Sequence, residues 1–205
     1  SLRSGAHVEC HVATRFSLYD MSSANVEDMA RSLDSTLFIN AIRLNRDEVP
    51  SFDAYPFSLS AVRGLSRLEL DSPVTMLVGE NGSGKSTLLE AVATAWGFNP
   101  EGGTVNFRFA TRESHSTLHE FIVLEKGVRR AKDGFFLRAE SFYNVATQIE
   151  GLDVLRSYGG KSLHEQSHGE SFLTLVMERF GRNGLYILDE PEAALSPSRQ
   201  LALLV

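Results

Sequence analysis

The sequence predicts an α/β fold on three observations. A short apolar run at residues 74–78 leads into a glycine-rich loop, which is followed by a segment with helical periodicity. A second apolar run, at residues 185–188, leads directly into two carboxylates. The third observation is the composition, because a chain of 205 residues with 42% hydrophobic and 22% charged residues can bury the core of one ordinary domain.

The composition also narrows the class of protein. The single cysteine, Cys10, excludes an internal disulfide, so we expect a reducing compartment and a cytoplasmic location. No apolar run reaches the roughly 18 residues of a membrane span, and we expect no membrane insertion. The formal net charge of −6 argues against a strongly basic nucleic-acid-binding chain, although it leaves room for a local positive patch.

The regular patterning begins near residue 35. Residues 1–34 follow neither the strand period nor the helix period, and we expect them to be a poorly ordered leader or tag. No low-complexity linker interrupts the remainder. We therefore expect one domain over residues 35–205.

Short apolar or alternating runs predict the strands. The run at residues 74–78 is rich in β-branched residues and ends at Gly79, which is typical of a buried strand in a parallel sheet. The charged stretch from Lys126 to Gly134 predicts an exposed hairpin turn. The predicted strands cover residues 38–44, 65–70, 74–78, 107–109, 120–126, 134–137 and 185–188.

Apolar residues at three-to-four spacing predict the helices. Residues 86–96 have this spacing, and Gly97 follows at the position that favours a helix C-terminus. A second helix is predicted directly after Ser167, because one apolar face precedes Gly181. Residues 142–155 are compatible with a third helix.

The loop between the run at residues 74–78 and the first predicted helix has the sequence GENGSGKST and fits the pattern G-x-x-x-x-G-K-[S/T]. Glycines let such a loop curl until its backbone N–H groups surround a phosphate, and the helix N-terminus adds a positive dipole end. We expect Lys85 to contact the β- and γ-phosphates of ATP and Ser86 to ligate Mg²⁺. The candidate nucleotide-binding residues here are Gly79, Asn81, Gly82, Ser83, Gly84, Lys85, Ser86 and Thr87.

The two carboxylates after the last predicted strand are Asp189 and Glu190. The carboxyl ends of buried strands are the usual ligand-binding edge of an α/β sheet. Asp189 is suited to hold Mg²⁺, and Glu190 is suited to accept a proton from a water that attacks the γ-phosphate. The alternative for such a pair is a helix N-cap or a solvated strand end.

The segments GENGSGKST, QSHGE and LYILDEPEAALSP follow one another in the order of the phosphate loop, signature motif, Walker B motif and D-loop of an ABC-type ATPase. The stretches FFLRAESFYNVAT and SYGGKSLHEQSHGESF, together with the last motif, resemble a family of stand-alone bacterial predicted ATPases. These proteins are AAA-labelled and are kin to the SMC, RecF and OLD ATPases. The resemblance covers residues 37–205.

The resemblance implies a P-loop NTPase with an ABC-type core, in which helices flank a mixed sheet and a small helical signature subdomain covers about residues 141–180. It also implies a head-to-tail homodimer that encloses ATP and Mg²⁺, in which Ser167 and Gly169 contact the γ-phosphate bound by the other subunit. Lys85 and Glu190 would be the catalytic residues. Ser167 is equally suited to cap the following helix in a capping box with Glu170, and both roles are compatible.

The family carries a glutamine loop after a central strand, and here FFLRAE occupies that place. Glu140 is therefore the candidate for a contact to Mg²⁺ or its water, with a solvated loop acid as the alternative. Phe52, Tyr55 and Phe57 precede the phosphate loop at a distance at which ABC-type proteins stack adenine, or they pack in the core.

Other functions are compatible with the same motifs. The ABC-type pattern has a further strand and a switch histidine beyond the D-loop, so we expect the chain to be C-terminally incomplete, and a nucleotide-binding switch without turnover is an alternative. A transporter subunit is a further alternative, although QSHGE differs from the LSGGQ usual in transporters. Nucleic acid is a possible partner through the basic cluster, with a solvated turn as the alternative. That cluster consists of Lys126, Arg129, Arg130 and Lys132.

Overall fold

The computed structural model describes residues 37–106, 116–139, 142, 146–147, 168–181 and 183–197. The chain divides into two compact units. Unit one comprises Ser1–Trp96 and Ser116–Arg130, and unit two comprises Gly97–His115 and Ala131–Val205. The predicted leader at residues 1–34 lies outside the described residues, and the single domain over residues 35–205 stays a prediction.

Unit one contains a three-stranded antiparallel sheet in the order β2-β1-β3. Strand β1 is Ile39–Leu44, β2 is Arg67–Glu69 and β3 is Ile122–Lys126. Ala41 on the central strand lies opposite Glu69 on one side and Glu125 on the other. The strands predicted at residues 38–44, 65–70 and 120–126 are thus confirmed, with shorter bounds.

A charged side-chain pair joins the two outer strands of this sheet across β1. Arg67 donates to Glu125 from Nη2 at 2.9 Å and from Nε at 3.1 Å, and it also contacts Glu69. The hydrogen bonds from Arg67 hold the pKa of the Glu125 carboxyl below its ordinary value. Both side chains remain more than a third exposed, so water screens the pair and its contribution to stability is below about 1 kcal/mol.

Two helices of unit one follow in chain order: the short α1, Ser60–Arg63, and α2, Lys85–Trp96. Helix α2 confirms the helix predicted at residues 86–96, and Gly97 ends it with a φ of 116°. Its buried Glu90 accepts a hydrogen bond from the Ser116 N–H at 3.2 Å, which fixes the start of the 3₁₀ turn Thr117–Phe121 against the helix. The buried residues of α2 are Leu88, Glu90, Ala91, Val92 and Ala93.

The prediction of a buried strand at residues 74–78 is wrong. The segment forms no strand, and Val74, Met76 and Val78 are 73%, 61% and 48% exposed. Leu70 still donates to the Asn40 carbonyl at 2.8 Å, and the chain then bends at residues 72–74. An apolar run favours burial but supplies no hydrogen-bonding partner for its backbone, and no described strand pairs with this one.

Unit two contains a parallel pair of strands, β4 at Asp133–Arg138 and β5 at Gly184–Asp189. These strands confirm the predictions at residues 134–137 and 185–188. The predicted hairpin from Lys126 to Gly134 is wrong, because β3 pairs with β1 whereas β4 pairs with β5. Among the described strands, one sheet is wholly antiparallel and the other wholly parallel, so a single mixed sheet stays a prediction.

Helix α3, His168–Arg179, contributes Phe172 and Leu175 to the same buried core as Phe135 and Leu137 of β4, and it confirms the helix predicted after Ser167. Tyr186 of β5 stacks on Phe180 with ring centroids 4.0 Å apart, and its hydroxyl donates to the Arg179 carbonyl at 3.1 Å. The buried core of unit two consists of Phe135, Leu137, Phe142, Ala146, Phe172, Leu175 and Leu195.

The predicted signature subdomain at about residues 141–180 lies largely outside the described residues. Of the helix predicted at residues 142–155, the described residues 142, 146 and 147 are helical. The strand predicted at residues 107–109 also lies outside the described part of the chain. None of the helices in that part is long and apolar enough to cross a membrane.

We expect Phe172→Ala to lower the free energy of unfolding by about 3–5 kcal/mol, because the ring is fully buried and its removal leaves a cavity. Met177→Ala on the same helix is the matched control, since Met177 is exposed and its loss should cost less than about 0.5 kcal/mol. Urea denaturation followed by circular dichroism measures both. Equal losses for the two variants would contradict the placement of Phe172 in the core.

Candidate functional site

The glycine loop at residues 79–87 adopts backbone conformations that require two of its glycines. Gly82 has a φ of 77° and Gly84 a φ of 100°, in the left-handed region that L side chains rarely adopt. A Cβ atom on Gly84 would also lie 2.9 Å from the Leu59 Cβ atom, closer than packed carbon atoms approach. The motif glycine at position 84 therefore serves both the turn of the loop and its close packing.

Helix α1 holds the loop from one side. The Ser83 carbonyl accepts hydrogen bonds from the Ala61 N–H at 3.0 Å and from the Ser60 hydroxyl at 3.3 Å. Within the loop, Ser83 N–H donates to the Glu80 carbonyl at 3.2 Å. Sequence reasoning missed this brace, although a serine followed by three residues compatible with a helix and then Gly64 was a readable signal for a short helix.

Lys85 is the first residue of α2, and its ammonium group lies against the loop. The Nζ atom donates to the carbonyl oxygens of Gly79 and Glu80, both at 2.8 Å. These acceptors are neutral, and a hydrogen bond from a cation to an anionic phosphate oxygen is stronger. The side chain thus lies where a phosphate within the loop would be a better partner than the carbonyls.

The loop has the polar groups that a phosphate needs. The Ser83 hydroxyl is buried and has no hydrogen-bonding partner, which is costly for a polar atom unless a ligand or water completes it. Asn81 and the two glycines 79 and 82 are exposed, whereas Ser86 and Thr87 are half-buried in the first turn of α2. The free N–H groups of a helix N-terminus and the lysine provide donors only, as anion binding requires.

In unit two, Asp189 is the last residue of β5 and is buried. Its carboxylate forms an ion pair with Arg138, the last residue of β4, with Nε and Oδ2 3.5 Å apart. The strand register explains this contact, because Arg138 lies directly opposite Asp189. Sequence reasoning missed Arg138, although a charged residue at the end of an otherwise apolar strand was visible in FFLRAE.

Glu190 follows β5 with φ 51° and ψ 47°, a left-handed conformation. For a residue with a Cβ atom this conformation costs roughly 1 kcal/mol, so the neighbouring structure must enforce it. The chain continues at once into the 3₁₀ turn Pro191–Ala194, and Leu195 then packs into the core of unit two. The Glu190 side chain is exposed, unlike that of Asp189.

The oxygen donors at these positions fit Mg²⁺ in chemical type. Ser86 offers a hydroxyl at the start of α2, and Asp189 offers a carboxylate at the end of β5; hard cations prefer such ligands. The third candidate ligand, Glu140, lies outside the described residues. So does Ser167 of the signature, whereas Gly169 is buried in the first turn of α3.

The three aromatic candidates for adenine stacking differ in exposure. Phe57 is buried and packs edge-on against Phe121, with centroids 5.0 Å apart. The guanidinium of Arg46 lies 4.2 Å from the centroid of the Phe52 ring. Tyr55 is 65% exposed, so its ring is the one of the three that a base could cover.

A family model described as an AAA domain matches residues 56–149. The match covers somewhat less than half of the chain and contains the whole glycine loop and α2, whereas Gly169, Asp189 and Glu190 lie beyond it. A comparison with curated proteins found no match, and a comparison with solved structures found none. The family match supports a P-loop ATPase family for this chain, with ATP binding and ATPase activity in general.

Proposed function

We propose that the chain is an ABC-type ATPase that binds ATP with Mg²⁺ and hydrolyses it to ADP and phosphate in a head-to-tail dimer. The observation that carries the proposal is the braced glycine loop, which leads directly into α2 with Lys85 as the first helical residue. The AAA family match over the same residues supports it.

Phosphate binding follows from the loop. The β- and γ-phosphates of ATP would replace the carbonyls of Gly79 and Glu80 as acceptors for the Lys85 ammonium. The buried Ser83 hydroxyl would gain a hydrogen-bonding partner. Backbone N–H groups at the start of α2 would complete the anion site.

Hydrolysis needs a base and control of charge on the γ-phosphate. Glu190 is exposed at the end of β5, so it is accessible to a water molecule from which it would accept a proton. Ser86 and Asp189 would hold Mg²⁺, with Glu140 as a further candidate. When bound, Mg²⁺ would neutralise charge that develops on the phosphate oxygens.

The dimer is part of the proposal because the signature motif acts on the nucleotide of the other subunit in ABC-type proteins. Ser167 would supply a hydroxyl, and Gly169 would supply a backbone N–H from the first turn of α3, where helix N–H groups lack partners within the helix. The exposed ring of Tyr55 would stack on adenine.

We expect Lys85→Ala to bind ATP about 10- to 100-fold more weakly than the parent protein, because it removes a cationic donor from the phosphate site. Isothermal calorimetry with Mg²⁺ measures the affinity. Lys132→Ala is the matched control, since Lys132 is an exposed lysine outside the loop. An unchanged affinity of Lys85→Ala would refute the assignment of the phosphate loop.

We expect Tyr55→Ala to bind ATP about tenfold more weakly while its affinity for inorganic triphosphate is unchanged, because the ring would contact only the base. Tyr55→Phe keeps a ring and should bind ATP as the parent does. Competition calorimetry with the two ligands separates base contacts from phosphate contacts. An equal loss for both ligands would contradict base stacking.

We expect Glu190→Gln to retain ATP binding but to hydrolyse ATP at least about 100-fold more slowly, because an amide cannot accept the proton. Phosphate release measures turnover, and size-exclusion chromatography with ATP should show an accumulated dimer. Glu192→Gln, two residues away in the following 3₁₀ turn, should keep the turnover of the parent. Unchanged turnover in Glu190→Gln would remove Glu190 from the role of base.

A further inference from the structure

The turn at residues 52–57 in unit one is held at both of its ends. At the far end, Phe57 is buried and packs edge-on against Phe121, with ring centroids 5.0 Å apart. At the near end, the half-buried ring of Phe52 faces the guanidinium of Arg46, which lies 4.2 Å from the ring centroid. A cation over an aromatic face is attracted by the charge distribution of the ring. Both ends of the turn therefore have a defined partner.

Arg46 joins the turn to the end of α1 and to the sheet. Its Nη1 atom donates to the carbonyl oxygens of Arg63 and Leu65, both at 2.9 Å. A guanidinium is planar, so its edge can donate these two bonds while its face covers an aromatic ring. The backbone next to Arg46 is fixed as well, because the Asn45 N–H donates to the Phe121 carbonyl at 2.8 Å. The two anchors of the turn are thus attached to neighbouring backbone.

Tyr55 lies between the two anchors and is 65% exposed. The chain continues from the turn into Leu59, whose Cβ atom would lie 2.9 Å from a Cβ atom on Gly84. The segment that carries the exposed ring therefore reaches the phosphate loop four residues later. A segment that is already ordered loses less conformational entropy when a ligand binds to it.

We propose that Arg46 is a positioning residue for nucleotide binding, which keeps the turn at residues 52–57 in one conformation so that the Tyr55 ring is preorganised for the base. The inference rests on the proposed function in taking Tyr55 as the residue that stacks on adenine. Arg46 acts through Phe52 and not by contact with the nucleotide. Without Arg46 the turn keeps its buried anchor at Phe57 alone, and ordering the turn then costs part of the binding free energy.

Removal of Arg46 should release the turn and leave the phosphate loop in place. Helix α1, which braces the loop, keeps its fully buried Val62 and its own backbone hydrogen bonds. The other contact between the turn and α1 is an ion pair of Arg63 with Asp53 at 3.3 Å. Both of these side chains are more than half exposed, so water screens the pair and it cannot replace Arg46.

The test is competition calorimetry of the full chain with ATP and with inorganic triphosphate. Arg46→Met should bind ATP about five- to tenfold more weakly and triphosphate as the parent does, because only the base contact depends on the turn. Phe52→Ala should give the same pattern, and Phe52→Tyr, which keeps a ring, should match the parent. Arg43→Met is the matched control, since Arg43 is an exposed arginine on β1.

A positioning role requires that the loss depend on the ring of Tyr55. In a Tyr55→Ala background, Arg46→Met should cause no further loss of ATP affinity, whereas general structural damage would add to it. A further loss there, or an equal loss for ATP and triphosphate in Arg46→Met, would overturn the proposal. Should Arg46→Met not fold, Phe52→Ala decides the question by the same two comparisons.

Failure of the proposed function has a different signature, because the parent then binds neither ATP nor triphosphate. The turn is tested without nucleotide by hydrogen-exchange mass spectrometry. The Ser58 N–H donates to the Ala54 carbonyl at 2.9 Å, and it should exchange about fivefold faster in Arg46→Met than in the parent. Unchanged exchange would overturn the proposal for Arg46, while ATP binding by the parent would leave the proposed function standing.

Discussion

The hydrogen bonds to the Ser83 carbonyl are the constraint on which the glycine loop depends. Two donors from the start of α1 hold that oxygen, and the missing Cβ of Gly84 lets Leu59 pack directly against the loop. With the loop fixed on this side, α2 begins at Lys85 and directs its ammonium to the loop carbonyls. The short helix α1 matters because a glycine-rich loop has high backbone entropy and needs external contacts to keep one shape.

In unit two, strand register holds the candidate site residues in place. Parallel pairing of β4 with β5 brings their last residues together, so a buried carboxylate and its counterion lie at one edge. After Asp189, the chain continues through Glu190 in a left-handed conformation into the 3₁₀ turn Pro191–Ala194. Leu195, directly after that turn, packs in the core. The burial of Asp189 and the exposure of Glu190 thus meet at the point where β5 ends.

Sequence patterns predicted the features that depend on local chemistry. The glycine loop, α2, the start of α3 and the strand before Asp189 were visible because spacing and residue type determine them within a few residues. The strand at residues 74–78 and the hairpin at Lys126 to Gly134 were wrong because pairing partners are non-local. Arg138 and the brace at Ser60 and Ala61 were missed for the same reason: their roles depend on residues 51 and about 20 positions away. The Walker B and signature roles stay predictions.

The partners of the two charged candidate site residues, Lys85 and Asp189, differ in kind. Lys85 is held by neutral carbonyls, so exchanging them for a phosphate oxygen gains charge–charge attraction at little cost. Asp189 is held by the cationic side chain of Arg138 in a buried site, so losing that counterion would leave an uncompensated buried charge. A phosphate at the loop would therefore meet a lysine that has neutral partners, whereas the charge of Asp189 is already offset within unit two.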